Sequence, residues 1–193
     1  MLVAVVALAG LSILGLRGMS RRAVFQGSPQ ELPAEQVLAE RGLEAFEYRT
    51  SDGVTLRGAW AEPEGAGSAV AVSFHGNAES AARNLDLAIA LSAAGFGALL
   101  AEYRGYGGLD GSPTEEGLYL DGLAAVAALE ARGVGEDRLV LVGRSLGSGV
   151  AINLAARGLG RGLVLVSPYT SMVDMARPYA GPLSPLVVPD PFD

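Results

Sequence analysis

The sequence predicts an α/β domain: a mostly parallel sheet, covered on each face by helices and entered through an antiparallel hairpin. Three observations predict it. From Ala69 onward, strand-like and helix-like segments alternate. The strand-like segments are continuous apolar runs, as expected of strands buried on both faces. Ahead of them, Glu44 to Thr50 and Val54 to Ala61 read as two short strands joined by Ser51-Asp52-Gly53, a hairpin turn signal.

The elements follow in order. Leu2 to Leu16 carry no charge and are nearly all apolar. As a helix they would span about 22 Å, short of the roughly 30 Å hydrocarbon core. Positive charges at Arg17, Arg21 and Arg22 come after the run, and no Ala-x-Ala cleavage site follows. Residues 1–18 are therefore expected to be an uncleaved membrane anchor, with a buried domain helix as the alternative. The arginines would favour the cytoplasmic face. Residues 19–43 read as a linker, polar and carrying two prolines between Gly27 and Pro33. Residues 44–193 form the domain.

Within it, Ala69 to Phe74 is a strand, Ser80 to Ala94 a helix and Gly97 to Tyr103 a strand. Pro113 or Thr114 opens a helix that runs to about Arg132. Position 117 is glycine, so the capping box is incomplete, though Glu115 and Glu116 suit a helix N-terminus. Arg138 to Val142 is a strand, Leu146 to Ala156 a helix and Gly162 to Val166 a strand. Beyond Ser167, six prolines (168, 178, 182, 185, 189 and 191) forbid long helices, so a loop or lid is expected.

Composition narrows the chemistry. The 193 residues are enough for one domain with a sizeable core. The net charge of −7, with no basic run beyond Arg21-Arg22, argues against nucleic acid as a partner. There is no cysteine, so no disulfide, thiolate metal site or cysteine nucleophile is available. The single histidine rules out a multi-histidine metal site within one chain. No cofactor or metal is expected.

Four islands carry the functional signal. His75-Gly76-Asn77, Glu102 to Gly107, Gly143 to Gly147 and Ser167 to Ser171 each end a predicted strand. In an open parallel sheet the carboxyl ends share one edge, where ligands bind. The third island is G-x-S-x-G between an apolar run and a helix. That order lifts a serine hydroxyl above the sheet on a sharp turn, with glycines where a side chain would collide with the neighbouring strand and helix. Asp52-Gly53 and Asp110-Gly111 read as turns, not metal sites. Arg144 is expected to pair with a carboxylate. Tyr103, Arg104 and Tyr106 are expected to pack and bond the loop, and Tyr169 and Met172 to line or cover a pocket.

On these residues the chain resembles the α/β-hydrolase superfamily, and more narrowly the membrane-anchored serine hydrolases called alpha/beta-hydrolase domain-containing proteins. The matching segments are His75-Gly76-Asn77-Ala78-Glu79, Tyr103-Arg104-Gly105-Tyr106-Gly107, Gly111-Ser112-Pro113-Thr114-Glu115, Gly143-Arg144-Ser145-Leu146-Gly147 and Ser167-Pro168-Tyr169-Thr170-Ser171. The resemblance implies an α/β-hydrolase fold from about Glu44 onward. It implies Ser145 as nucleophile, and an oxyanion hole from the backbone N–H groups of Leu146 and Asn77. A helix beginning at Leu146 would offer its N–H groups and positive dipole end to that charge.

The family order continues with an aspartate and then a histidine. The sequence reaches Asp193 before either, and Pro189 to Asp193 resembles the segment ahead of the next strand. Asp190 and Asp193 are poor matches to the triad acid. The expectation is a truncated chain whose last strands and helix are missing. Two roles are open for His75: a base for Ser145, and the structural role beside the oxyanion loop that the resemblance implies. Two functions follow. One is a serine hydrolase acting on a small acyl substrate (an ester, thioester or amide) through an acyl-enzyme on Ser145. The other is a catalytically incomplete fragment or membrane-tethered binding module.

Overall fold

A computed structural model describes residues 2–193, with side-chain surroundings from residue 10 onward. In chain order the elements are α1 (Leu2–Val24), α2 (Glu35–Ala39), β1 (Glu44–Arg49), β2 (Thr55–Ala61), β3 (Val70–Phe74), α3 (Leu85–Ala93), β4 (Gly97–Ala101), α4 (Glu115–Ala131), β5 (Leu139–Arg144), α5 (Leu146–Ala156), β6 (Gly162–Val166), α6 (Met172–Ala180) and α7 (Ser184–Val187). They fall into two compact units, Gly27–Pro168 and the pair of segments Met1–Gln26 and Tyr169–Asp193.

The first unit is built on a six-stranded sheet in the order β1-β2-β4-β3-β5-β6. β1 pairs antiparallel with β2, and β2 antiparallel with β4. The pairs β3–β4, β3–β5 and β5–β6 are parallel. This is the α/β-hydrolase arrangement predicted: an antiparallel hairpin leading into a parallel sheet. At the turn each strand stops one residue short of expectation. Thr50 leaves the strand because its Oγ1 accepts the Val54 N–H at 2.8 Å while its own N–H bonds the Val54 carbonyl at 2.9 Å.

Every residue of β3 and β4 is buried, as their runs, apolar but for Ser73, require. On one face, Ala59, Ala61, Ala98 and Leu100 pack with Leu85 and Ala88 of α3 and with Leu38 of α2. By strand alternation, buried Trp60 and Leu99 point to the other face. β6 is the exception among the parallel strands, with Val164 48% and Val166 45% exposed. With Val140, Val142, Leu87 and Phe96 these two valines line an apolar groove of about 420 Å³ along the sheet.

One helix differs from expectation for local reasons. The predicted Ser80–Ala94 helix opens as a 3₁₀ turn over Ala81–Asn84. There the Ser80 carbonyl accepts both the Arg83 N–H at 3.1 Å and the Asn84 side-chain amide at 2.9 Å, which tightens the turn. α3 then stops at Gly95, whose φ of +83° lets the Phe96 N–H reach back to the Leu91 carbonyl at 3.0 Å. α4 starts where predicted, with Thr114 Oγ1 accepting the Gly117 N–H at 3.0 Å.

The second unit holds α1, α6 and α7. α1 runs past Leu16 and through Arg17, Arg21 and Arg22 to Val24. Arg21 grips buried Asp190 with two bonds, at 2.7 and 3.2 Å, and Phe25 packs on Phe192 with ring centroids 6.1 Å apart. Among the described residues, no helix is long and apolar enough to cross a membrane. The apolar run covers only about 22 Å of helix before its arginines begin, and one of these is committed to a carboxylate of the chain. The proline-rich tail has no long helix, yet it is not all loop. α6 forms over nine residues because Ser171 Oγ caps it on the Asp174 N–H at 3.0 Å, with Pro178 delayed to its last turn. Tyr169, expected at a pocket, stands edge-on to Phe192 at 6.4 Å.

Candidate active site

β5 lies between β3 and β6, with Gly143 paired to Phe74 on one side and to Leu165 on the other. The chain then turns abruptly. Ser145 sits at φ +48°, ψ −116°, as the N-cap of α5. A non-glycine residue held there costs on the order of 1–3 kcal/mol and persists only where its surroundings over-determine it. They do. The Ser145 N–H donates to the Val166 carbonyl at 2.9 Å, and the Ser145 carbonyl accepts the N–H and the hydroxyl of Ser148 at 2.8 and 2.5 Å. Ser145 is exposed, while Leu146 behind it is buried.

The flanking glycines are there for space. A Cβ on Gly143 would lie 2.6 Å from the Gly147 carbonyl oxygen and 2.8 Å from the Ala151 Cβ in α5. A Cβ on Gly147 would overlap the carbonyl of Phe74 in β3. One glycine admits the helix and the other admits the strand, as the motif predicted.

The loop after β3 runs against this turn. A Cβ on Gly76 would lie 3.5 Å from the Ser145 Cβ and 3.6 Å from the Arg144 carbonyl. Asn77 and Ala78 form the tip, with Ala78 at φ +56°. The predicted site residues Ser145, Leu146 and Asn77 are thus brought to one end of the sheet. Glu79 closes the loop on itself and on the serine turn. One of its carboxylate oxygens accepts the Gly76 N–H at 3.2 Å and the other pairs with the Arg144 guanidinium. Arg144 has the carboxylate partner expected of it.

His75 takes the structural role. It is 4% exposed, with Nδ1 against the Gly76 carbonyl at 2.8 Å and Nε2 against Glu102 Oε1 at 2.6 Å. Both ring nitrogens are engaged inside the loop, so neither is turned to receive a proton from Ser145. The rings of Tyr103 and Tyr106 enclose it, with centroids 4.4 and 5.4 Å away. Burial and the nearby Glu102 push the Tyr106 phenol up, keeping it a hydroxyl donor.

A second cluster braces the loop after β4. Arg104 bonds Asp121 of α4 through Nε and Nη2 at 2.9 and 2.7 Å, and Asp52 of the hairpin turn through Nη1 and Nη2 at 2.6 and 3.1 Å. The bonds to Arg104 and Thr50 hold the Asp52 carboxyl well below the usual carboxylate range. Burial raises that of Asp121, against the pull of Arg104. Sequence reasoning read Asp52 as a turn residue, which it is, and missed its partner. It also missed the parts played by Glu102, Glu79 and Asp121. The available signal was a glutamate placed directly after the fully apolar β4. Among the described residues, no group of His, Cys, Asp or Glu could hold a metal ion.

Comparison with known proteins places this geometry. Residues 65–188 match the family described as serine aminopeptidase, S33. The chain is 36% identical over 178 residues to the Mycobacterium tuberculosis protein Rv2307c, a span covering 90% of this chain and 62% of that protein. It is 36% identical over 115 residues to the lysophosphatidylserine lipase ABHD12 of Danio rerio, covering 56% of this chain and 30% of the lipase. The chain therefore spans less than two thirds of the length of these relatives. The crystal structure of an alpha-beta hydrolase from Vibrio vulnificus superposes with a TM-score of 0.71 at 21% identity, over 92% of this chain and 69% of that one, and so shares the fold. With the family match extending from the loop ahead of β3 into the tail, the chain belongs to the serine aminopeptidase S33 family, within the α/β-hydrolase superfamily.

Proposed function

We propose that Ser145 is the nucleophile of a serine hydrolase that cleaves ester, thioester or amide bonds of a small acyl substrate through an acyl-enzyme. The observation that carries this is the exposed Ser145 on its positive-φ turn, at the start of α5 and against Gly76. In this reading Ser145 Oγ attacks the substrate carbonyl carbon and gives up its proton to a base. The carbonyl oxygen becomes an oxyanion that accepts hydrogen bonds from the Leu146 and Asn77 backbone N–H groups. The bond to the leaving group then breaks, the leaving group takes the proton, and water releases the acyl group from Ser145. Loss of one such donor costs about 3 kcal/mol of transition-state stabilisation in other serine hydrolases.

His75 is spoken for by Glu102 and Gly76, and it is the one histidine of the sequence. The base that activates Ser145 is therefore a group other than His75. The same observation favours a second reading, a hydrolase-fold module that binds without turning over. A nitrophenyl ester assay separates the two. The protein encoded by the complete reading frame is expected to turn the ester over, and to lose this in Ser145→Ala. A folded protein from that complete frame with no Ser145-dependent turnover would favour the binding module. The lysophosphatidylserine lipase among the relatives makes lysophosphatidylserine a first natural ester to try.

A further inference from the structure

Glu102 stands directly after β4, 2% exposed, and its carboxylate reaches both ends of the loop that carries Asn77. Oε1 lies 2.6 Å from His75 Nε2, at the loop's start. Oε2 accepts the Ala81 N–H at 2.9 Å, where the loop passes into its 3₁₀ turn. Oε1 also accepts the Tyr103 N–H at 3.2 Å. The carboxylate's own backbone is pinned in turn. The Tyr48 hydroxyl accepts the Glu102 N–H and donates to the Glu102 carbonyl, both at 3.0 Å. Gly107, at φ +59°, makes the space, since a Cβ there would overlap Glu102 Oε2.

Two tyrosines from the same stretch complete the brace. The Tyr103 hydroxyl donates to the His75 carbonyl at 3.1 Å, and the Tyr106 hydroxyl donates to Asn77 Oδ1 at 3.0 Å. A buried carboxylate held by hydrogen bonds seldom stabilises a fold more than apolar packing of the same volume. What it adds is direction, because each bond fixes an atom of the loop. The direction matters here: a donor about 1 Å out of place can cost on the order of a hundredfold in rate.

We propose that Glu102 is a positioning residue for acyl transfer, fixing the His75–Ala81 loop so that the Asn77 N–H meets the oxyanion, with Tyr106 as the second anchor. This rests on Ser145 being the nucleophile. Because His75 is the one histidine of the sequence, its imidazole N–H protons give an unambiguous NMR signal. In Glu102→Gln, the His75 Nε2 proton is expected to move upfield. The Asn77 and Ala78 amide resonances are expected to shift, while those in the C-terminal half of α4 stay in place. Tyr106→Phe is expected to shift Asn77 and leave the His75 proton unchanged.

The kinetic counterpart is the rate of Ser145 phosphonylation by a fluorophosphonate, in the protein from the complete reading frame. It should fall about tenfold in Glu102→Gln, less than the loss of a whole donor, and less again in Tyr106→Phe. Ester kcat should fall with KM held. Unmoved Asn77 and Ala78 amides in folded variants overturn the proposal, as do shifted amides with wild-type phosphonylation rates. A wild-type protein that does not react at Ser145 removes the nucleophile reading itself, a different failure. Should Glu102→Gln not fold, Tyr106→Phe decides alone, since it deletes one hydroxyl from an otherwise intact ring.

Discussion

The turn after β5 and the loop after β3 meet at Ser145, yet they are held by opposite means. The turn is a matter of backbone: Ser145 bonds through its own N–H and C=O, and Gly143 and Gly147 admit the neighbouring helix and strand. The loop is a matter of side chains. His75, Glu79, Glu102, Tyr103 and Tyr106 hold it by bonds from their rings, hydroxyls and carboxylates. The comparison separates two kinds of rigidity. A backbone-built turn tolerates no added atom, whereas a side-chain-built loop tolerates small chemical changes and answers them by moving.

The largest expected effect breaks the first kind. Gly147→Val would drive a branched side chain into the Phe74 carbonyl, at a cost of about 3 kcal/mol or more. A lowered urea midpoint, or failure to fold, is the expected result. Gly67→Ala is the control, since a Cβ there meets nothing within 4 Å. Equal midpoints for the two variants would refute the packing account.

Next comes the brace of Arg104. Asp121 is fully buried, so Asp121→Ala leaves a buried guanidinium with half-exposed Asp52 as its remaining carboxylate. Breaking a buried pair from one side costs about 3 kcal/mol, so a clear fall in chemical stability is expected. A change below about 1 kcal/mol would mean that Asp52 alone suffices.

The smallest effect is the pH dependence carried by Asp52. Its folded value is depressed, so its contribution is present above the ordinary carboxylate range near 4 and fades as pH falls below it. Asp121 is raised, and so has the opposite sign: its contribution is present at low pH and is lost as pH rises through its folded value. Asp52 is 40% exposed on its side chain, so solvent screening keeps its share under about 1 kcal/mol. Urea midpoints of wild type and Asp52→Asn should differ at pH 6, and the difference should narrow, without closing, as pH falls from 4 to 3. A constant difference across that range would contradict the assignment.

The same contrast explains what could be read from the sequence. The serine turn was legible because its requirements are local: an apolar strand, two glycines and a helix start within a few residues. The sheet was legible because β3 and β4 are buried throughout and show it as runs that are apolar but for Ser73. Glu102 opens the island that follows β4, but its partners His75 and Ala81 lie 27 and 21 residues away. Nothing in the sequence pairs them. Arg104 is 17 residues from Asp121 and 52 from Asp52, so it too read only as a loop residue. The N-terminal run shows the same limit. Its apolar residues are contiguous, but the pairing of Arg21 with Asp190 spans 169 residues.

The central claim is that the backbone-built turn presents a working nucleophile. Fluorophosphonate labelling of the protein from the complete reading frame, located by mass spectrometry, tests it most directly. The account predicts a single label on Ser145, absent in Ser145→Ala. A folded protein that stays unlabelled, or one labelled elsewhere, would contradict it.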